Sequence, residues 1–416
     1  MERSVAQIKS LRNLERIKTL VIKIGSSILT QHLPQDDKPQ SKCQESGSKV
    51  ESMQSIDSAQ IQTERIQALS AQIAKLKKHI PEIIIVSSGA VASGFSLLGF
   101  TKRPKDIIDK QACAALGQVR LIWNYERFFG EHNIRVAQIL LTKDDLSNPK
   151  RYLYAHSSLK RLLEFNVIPI INENDPVLID ELKYIETFGD NDNLAALVAG
   201  MIDADLLLIL SDVDGLYTAN PLTNKNAKRI SEVTLINEEI LRLAKTDKST
   251  SKHTSTKVGT GGMQSKLLAA KKALDVGCNV AIIKGDDAQN ITRFFAYEDI
   301  GTYFCLPQNS MKKRRFYIGY VAIPQGKLKL DSGAVRALFA KKSLLPKGIL
   351  SVEGSFEAGD VVGIYDMQEC EIARGKVRYN AQEIGQILGL ESSKIAKVLG
   401  HKFGDEVIHR DDIALL

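Results

Sequence analysis

The feature that most constrains this chain is a short run of β-branched and aliphatic residues, repeated along the sequence, that stops at small or polar residues. TLVIKI (19–24) ends at Gly25-Ser26-Ser27, and EIIIV (82–86) at Ser87-Ser88-Gly89-Ala90. VIPII (167–171) ends at Asn172-Glu173-Asn174-Asp175, DLLLIL (205–210) at Ser211-Asp212, and NVAII (279–283) at Lys284-Gly285; VAQILL (136–141) is a further run of the kind. Strands apolar on both sides need cover on both sides, which is the condition of parallel sheets. Between the runs, Ile61, Ile66, Leu69, Ile73, Leu76 and Ile80 recur at helical spacing. Further helices are expected around 108–129, 152–165 and 192–201, and from Gly262 to Val276. The fold class is therefore α/β, a mainly parallel sheet sandwiched by helices, through about residue 310.

At 416 residues there is room for two domains. Past Lys312-Lys313-Arg314-Arg315 the texture changes to short, glycine-broken strands: FYIGYVAI, GILSVEG, DVVGIYD and EIARGKVRYN. We divide the chain into domains at 1–310 and 311–416, the second small and mostly β with a core at about 325–403. Residues 31–60 are polar, with no aromatic residue, and read as a flexible insertion; residues 246–257, TDKSTSKHTSTK, read as a mobile loop or as plain solubilising charge.

No apolar run reaches the roughly 20 residues of a membrane helix, and the first residues lack a secretory core, so a cytoplasmic location is expected. Five scattered cysteines without a C-x-x-C pair, and histidines without H-E-x-x-H, offer neither a disulfide framework nor a zinc site. The net charge of +7 suits nucleic acid or a nucleotide equally. Neither G-x-x-x-x-G-K-[ST] nor a post-strand G-x-G-x-x-G is present, and V-A-I-K and D-F-G are missing, which removes P-loop, Rossmann and protein-kinase readings.

In parallel sheets ligands bind beyond the carboxyl ends of the strands, where this chain places glycine, serine, carboxamide and carboxylate groups. Turns also favour these residues, so one loop alone decides little. Lys23 lies inside an apolar run, either buried and in need of a partner or exposed at a strand end. Lys266 follows Gly259-Thr260-Gly261-Gly262-Met263-Gln264-Ser265, on the first turn of a glycine-led helix, a geometry that suits phosphate. Gly189-Asp190-Asn191-Asp192-Asn193 precedes another helix. It is an N-cap, or more than one: Asp192 is placed to hold two lysines in register, and Asn191 and Asp175 to bind an amino acid's polar groups.

Taken in order, VIKIGSS, VSSGAVASG, VIPIINENDPV, GDNDN, LSDVDGLYT and GTGGMQSK resemble the amino acid kinase superfamily, and within it the branch that phosphorylates glutamate, over about residues 19–310. GAVRALFAKKSLLPKGI and GDVV are similar to a PUA domain. The resemblance implies ATP and Mg2+ as cofactors, phosphorylation of the L-glutamate side-chain carboxylate at the start of proline biosynthesis, proline as feedback inhibitor, and a homo-oligomer. It implies catalytic roles for Lys23, Lys266 and Asp192, and substrate binding by Ser88, Asp175 and Asn191. Nucleotide contacts would come from Lys23, Ser211, Asp212 and the run Thr260, Gly261, Gly262, Met263, Gln264, Ser265 and Lys266. The insertion at 31–60 and the basic loop at 246–259 depart from the family pattern. The alternative is an RNA-binding or RNA-modification accessory protein acting through its PUA-like part, with an affinity that falls steeply with salt.

Overall fold

The computed structural model describes residues 14–29, 63–95, 97–100, 104–177, 191–221, 223–244, 262–305 and 313–416. The insertion assigned to 31–60, the loop at 246–259, Gly189, Asp190, Thr260 and Gly261 lie outside the described residues.

In chain order the first part comprises β1 (Thr19–Ile24), α1 (Ser26–Leu29), α2 (Thr63–Lys77), β2 (Glu82–Ser87), α3 (Ala90–Gly94), α4 (Ile107–Gly130) and β3 (Val136–Leu141). There follow α5 (Lys143–Ser147), α6 (Pro149–Glu164), β4 (Ile168–Glu173), a 3-10 turn (Asp175–Val177), α7 (Asn191–Ile202) and β5 (Leu206–Ser211). Then come β6 (Glu232–Val233), α8 (Glu238–Leu243), α9 (Met263–Asp275), β7 (Asn279–Lys284), α10 (Gln289–Phe295) and β8 (Thr302–Phe304). The strands form one eight-stranded sheet in the order β3-β4-β2-β1-β5-β7-β8-β6. Every neighbouring pair is parallel except β7 with β8. The expected mainly parallel sheet is what the apolar runs build.

β1 is buried along its whole length, as is β5, because both lie inside the sheet and are covered on both faces. From Asp192 to Ile202, α7 is likewise buried on every side, the pattern of a helix inside a core. From β1 the chain steps to β2 on one side and later to β5 on the other, so β1 marks the reversal of strand order where open α/β sheets hold ligands.

Contacts group residues 143–156, 275–277 and 308–416 into a second compact unit, distinct from the unit made by the rest of the chain. It contains α11 (Lys313–Phe316), a wide turn (Tyr317–Val321), β9 (Gly326–Leu330), α12 (Ser332–Phe339), β10 (Ile349–Gly354), β11 (Val361–Tyr365) and β12 (Glu371–Lys376). α13 (Ala381–Ile387), α14 (Ile395–Leu399) and β13 (Ile413–Leu415) complete it. Its five-stranded sheet runs β10-β9-β11-β12-β13, antiparallel but for β9 with β11. The sheet has a core of its own, with Leu328, Val362, Ile364, Tyr379, Ile384 and Ile408 among its buried residues. Among the described residues no helix is long and apolar enough to cross a membrane.

Candidate active site

The register of β1 sets Lys23 against Val86 of β2 on one side and Ile209 of β5 on the other. Lys23 is thus flanked by strands on both sides and is buried, so of the two sequence readings the buried one holds. Lys23 Nζ lies 2.5 Å from Asp192 Oδ1, and Lys266 Nζ lies 3.1 Å from Asp192 Oδ2. The three side chains are 6%, 0% and 7% exposed in the order Lys23, Asp192, Lys266, so water screens little of their attraction. A buried lone ammonium is costly, and one carboxylate with an oxygen for each lysine offsets that cost twice. Their formal charges sum to +1, a buried surplus that suits an anion.

Two helix starts deliver these groups: Asp192 is on the first turn of α7 and Lys266 on the first turn of α9. A carboxylate is favoured at a helix N-terminus and a cation is not. Lys266 therefore sits against its own helix's field, held by Asp192, on a helix end whose amides favour phosphate. Burial raises the Asp192 carboxyl, but the charges and hydrogen bonds of Lys23 and Lys266 outweigh it and hold the group below the usual carboxylate range.

A cluster of carboxamides and hydroxyls gathers at the ends of β2 and β4. Asn191, first residue of α7, donates from Nδ2 to Ser88 Oγ at 2.5 Å and to Asn172 Oδ1 at 3.1 Å. Asn172 in turn donates from Nδ2 to Gln118 Oε1 on α4 at 2.8 Å. Ser87 Oγ and the Tyr125 hydroxyl, also on α4, share a hydrogen bond at 2.9 Å, and burial pushes the Tyr125 hydroxyl pKa up. Asp175 opens the 3-10 turn just past β4, and that turn packs on α4. Ser88, Asn191 and Asp192 are thus brought together, with Asp175 three residues beyond Asn172.

On the other flank, Ser211 ends β5 and its hydroxyl donates to Asp212 Oδ1 at 3.0 Å. The backbone carbonyl of Ser211 accepts from Gly285 N at 2.8 Å, which joins the ends of β5 and β7. Gly262, Met263, Gln264 and Ser265 lead into Lys266, and Ser265 Oγ stands 3.5 Å from Asp192 Oδ2. Two glycines keep room at this centre. A Cβ on Gly25 would stand 3.5 Å from Lys23 Nζ, and one on Gly262 would meet nothing within 4 Å among the described residues. The residues fit a polyphosphate: buried cations, a helix N-terminus aimed by its first turn, and space that side chains would fill.

Sequence reasoning passed over Gln118, Tyr125 and the particular part of Asn172. The available signal was a glutamine within the apolar stripe of α4, between Ala114 and Leu121. Among the described residues no group of three or more His, Cys, Asp or Glu is placed to hold a metal ion. The second unit has its own open cleft of about 660 Å³, whose lining includes Asp144, Arg151, Asp360 and Lys376.

Comparison with known proteins accords with this geometry. Residues 18–284 match the model of the amino acid kinase family, and residues 326–399 that of the PUA domain. The chain is 42% identical over 97% of its length to a protein named Glutamate 5-kinase from Geobacter sp. (strain M21), covering 99% of that protein. It is 44% identical over the same share to the Glutamate 5-kinase of Geobacter sulfurreducens, again covering 99% of the relative. A Glutamate 5-kinase from Carboxydothermus hydrogenoformans is 41% identical over 97% of this chain and 99% of its own.

Proposed function

We infer the activity from one premise: the chain belongs to the amino acid kinase family, in its glutamate 5-kinase branch. It transfers the γ-phosphoryl group of ATP to the side-chain carboxylate of L-glutamate, giving L-glutamyl 5-phosphate, the entry to proline biosynthesis. The observation that carries this reading is Asp192 between two buried lysines at the point where strand order reverses.

Glutamate's side-chain carboxylate, with an ordinary pKa of about 4.3, is ionised at neutral pH and needs no general base. The barrier is electrostatic, since an anion must approach a polyphosphate and charge must be stabilised on the transferring group. Lys23 and Lys266 supply two ammonium groups there, and Asp192 fixes both in direction. Ser211, Asp212 and the run from Thr260 to Lys266 hold the nucleotide. Ser88, Asn191 and Asp175 hold the amino acid, with hydrogen-bonding groups that discriminate more sharply than an apolar pocket does. Mg2+, bound together with the nucleotide, would add to the charge neutralisation that Lys23 and Lys266 give the phosphates.

We carry three further expectations as proposals: a cytoplasmic location, assembly into a homo-oligomer, and inhibition by proline at or near the glutamate site. The decisive assay incubates the purified protein with ATP, Mg2+ and a panel of amino acids, and traps the acyl phosphate with hydroxylamine. Glutamate alone should drive ADP release and hydroxamate formation. ADP release that ignores glutamate would overturn the reading.

A further inference from the structure

The carboxamide chain beneath the substrate groups has a direction, and one glutamine sets it. Asn172 Oδ1 accepts from Asn191, so Asn172 Nδ2 must find an acceptor of its own. Gln118 Oε1 is that acceptor, at 2.8 Å, in surroundings where Asn172 is 2% and Gln118 7% exposed. Were Gln118 turned over, two NH2 groups would face each other with no water to part them. The chain therefore runs one way, from Asn191 through Asn172 to Gln118. Its two ends are left open: Asn191 Oδ1 and Gln118 Nε2 are buried and have no hydrogen-bond partner among the described residues. A buried amide group left open costs free energy until a ligand or water completes it.

Gln118 cannot drift to relieve this. Its neighbour Gly117 packs so closely on α3 that a Cβ there would stand 1.9 Å from the Ala90 carbonyl oxygen, and Gly94 meets α4 as tightly, 1.9 Å from the Cys113 carbonyl oxygen. Ala90 follows Ser88 by two residues, so this contact also fixes α4 against the loop that bears Ser88. Tyr125, two turns along α4, ties the same helix to Ser87.

We propose that Gln118 is a positioning and specificity residue: by accepting from Asn172 it commits Asn191 to present Oδ1 as an acceptor to the α-ammonium of the amino acid substrate. This deepens, and rests on, the reading of the site as a glutamate site. Gln118 touches no reacting atom; its effect passes through Asn172 to Asn191.

Two variants separate its two ends. Gln118→Met removes acceptor and donor at nearly constant volume, whereas Gln118→Glu, when ionised, keeps an acceptor facing Asn172 and loses the donor. Glutarate, which is glutamate without its amino group, is titrated as a competitor against glutamate in each. In Gln118→Met the preference for glutamate over glutarate should fall about tenfold, the size of a lost hydrogen bond to a charged group. The KM for ATP should stay within about twofold, because the lysines are untouched. Gln118→Glu should keep the preference, and this variant decides alone if Gln118→Met does not fold. A folded Gln118→Met protein with unchanged preference, or a Gln118→Glu protein that loses it, would overturn the proposal while wild-type glutamate turnover left the activity standing. Wild-type protein that fails to phosphorylate glutamate would overturn both.

Discussion

Asp192 has a structural load and a chemical one, and both come from the same two contacts. Within an almost fully buried triad, changing Asp192 to Asn leaves two ammonium groups facing a neutral amide. Breaking a buried pair in this way costs about 3–5 kcal/mol. The pH dependence has a definite sign. The folded carboxyl titrates below its unfolded value, so its contribution is present above the unfolded pKa of about 3.9 and is lost as pH falls through the lower folded value. Urea unfolding of wild type and Asp192→Asn should therefore show a wide stability gap at neutral pH that closes in strong acid. A gap independent of pH would mean that the carboxylate's charge is not what Asp192 contributes.

The α3–α4 contact shows how an element holds a site without touching it. Gly94 and Gly117 let the two helices meet backbone to backbone, and a methyl group at either place would collide with a carbonyl oxygen rather than with a yielding side chain. Gly117→Ala should destabilise the chain by about 1–3 kcal/mol in denaturant titration and weaken glutamate use with it, because Gln118 and Tyr125 ride on the displaced helix. Unchanged stability would show that the helices can part without cost. Much at this scale was legible in advance: apolar runs closed by small or polar residues gave β1, β2, β4, β5 and β7, and helical spacing gave α2. The lysine inside TLVIKI and the alternation of Asp and Asn at the start of α7 pointed to the charged triad. Less visible were β6, an edge strand two residues long whose partner lies about 70 residues on, and β8, three residues long and antiparallel to its neighbour β7. Gln118 was hidden for a different reason. A helix repeat shows that a position faces inward, but not which buried carboxamide waits across the gap.

At the scale of the whole chain, the two units do not divide at a single point in the sequence. The second unit takes residues 143–156 and 275–277 from inside the stretch that matches the kinase family. Within that unit the Tyr317 hydroxyl donates to the Ser147 carbonyl at 2.5 Å, Tyr320 donates to Asp275, and burial leaves the Tyr317 pKa pushed up to about 12. A chain ended after residue 307 loses these partners, and its thermal midpoint should fall by about 4 °C or more relative to the full chain. An unchanged midpoint would mean that the C-terminal part is a passive appendage. The RNA-binding alternative drawn from net charge and the PUA-like part is not favoured, since relatives that match over 97% of this chain are named Glutamate 5-kinase. The central claim is that two buried ammonium groups held by one carboxylate do the work of phosphoryl transfer. Steady-state turnover of folded Lys266→Met with ATP and glutamate tests it most directly. A fall in kcat of about 10²- to 10³-fold, with the protein's fold intact, is the expected result; wild-type turnover in that variant would contradict the account.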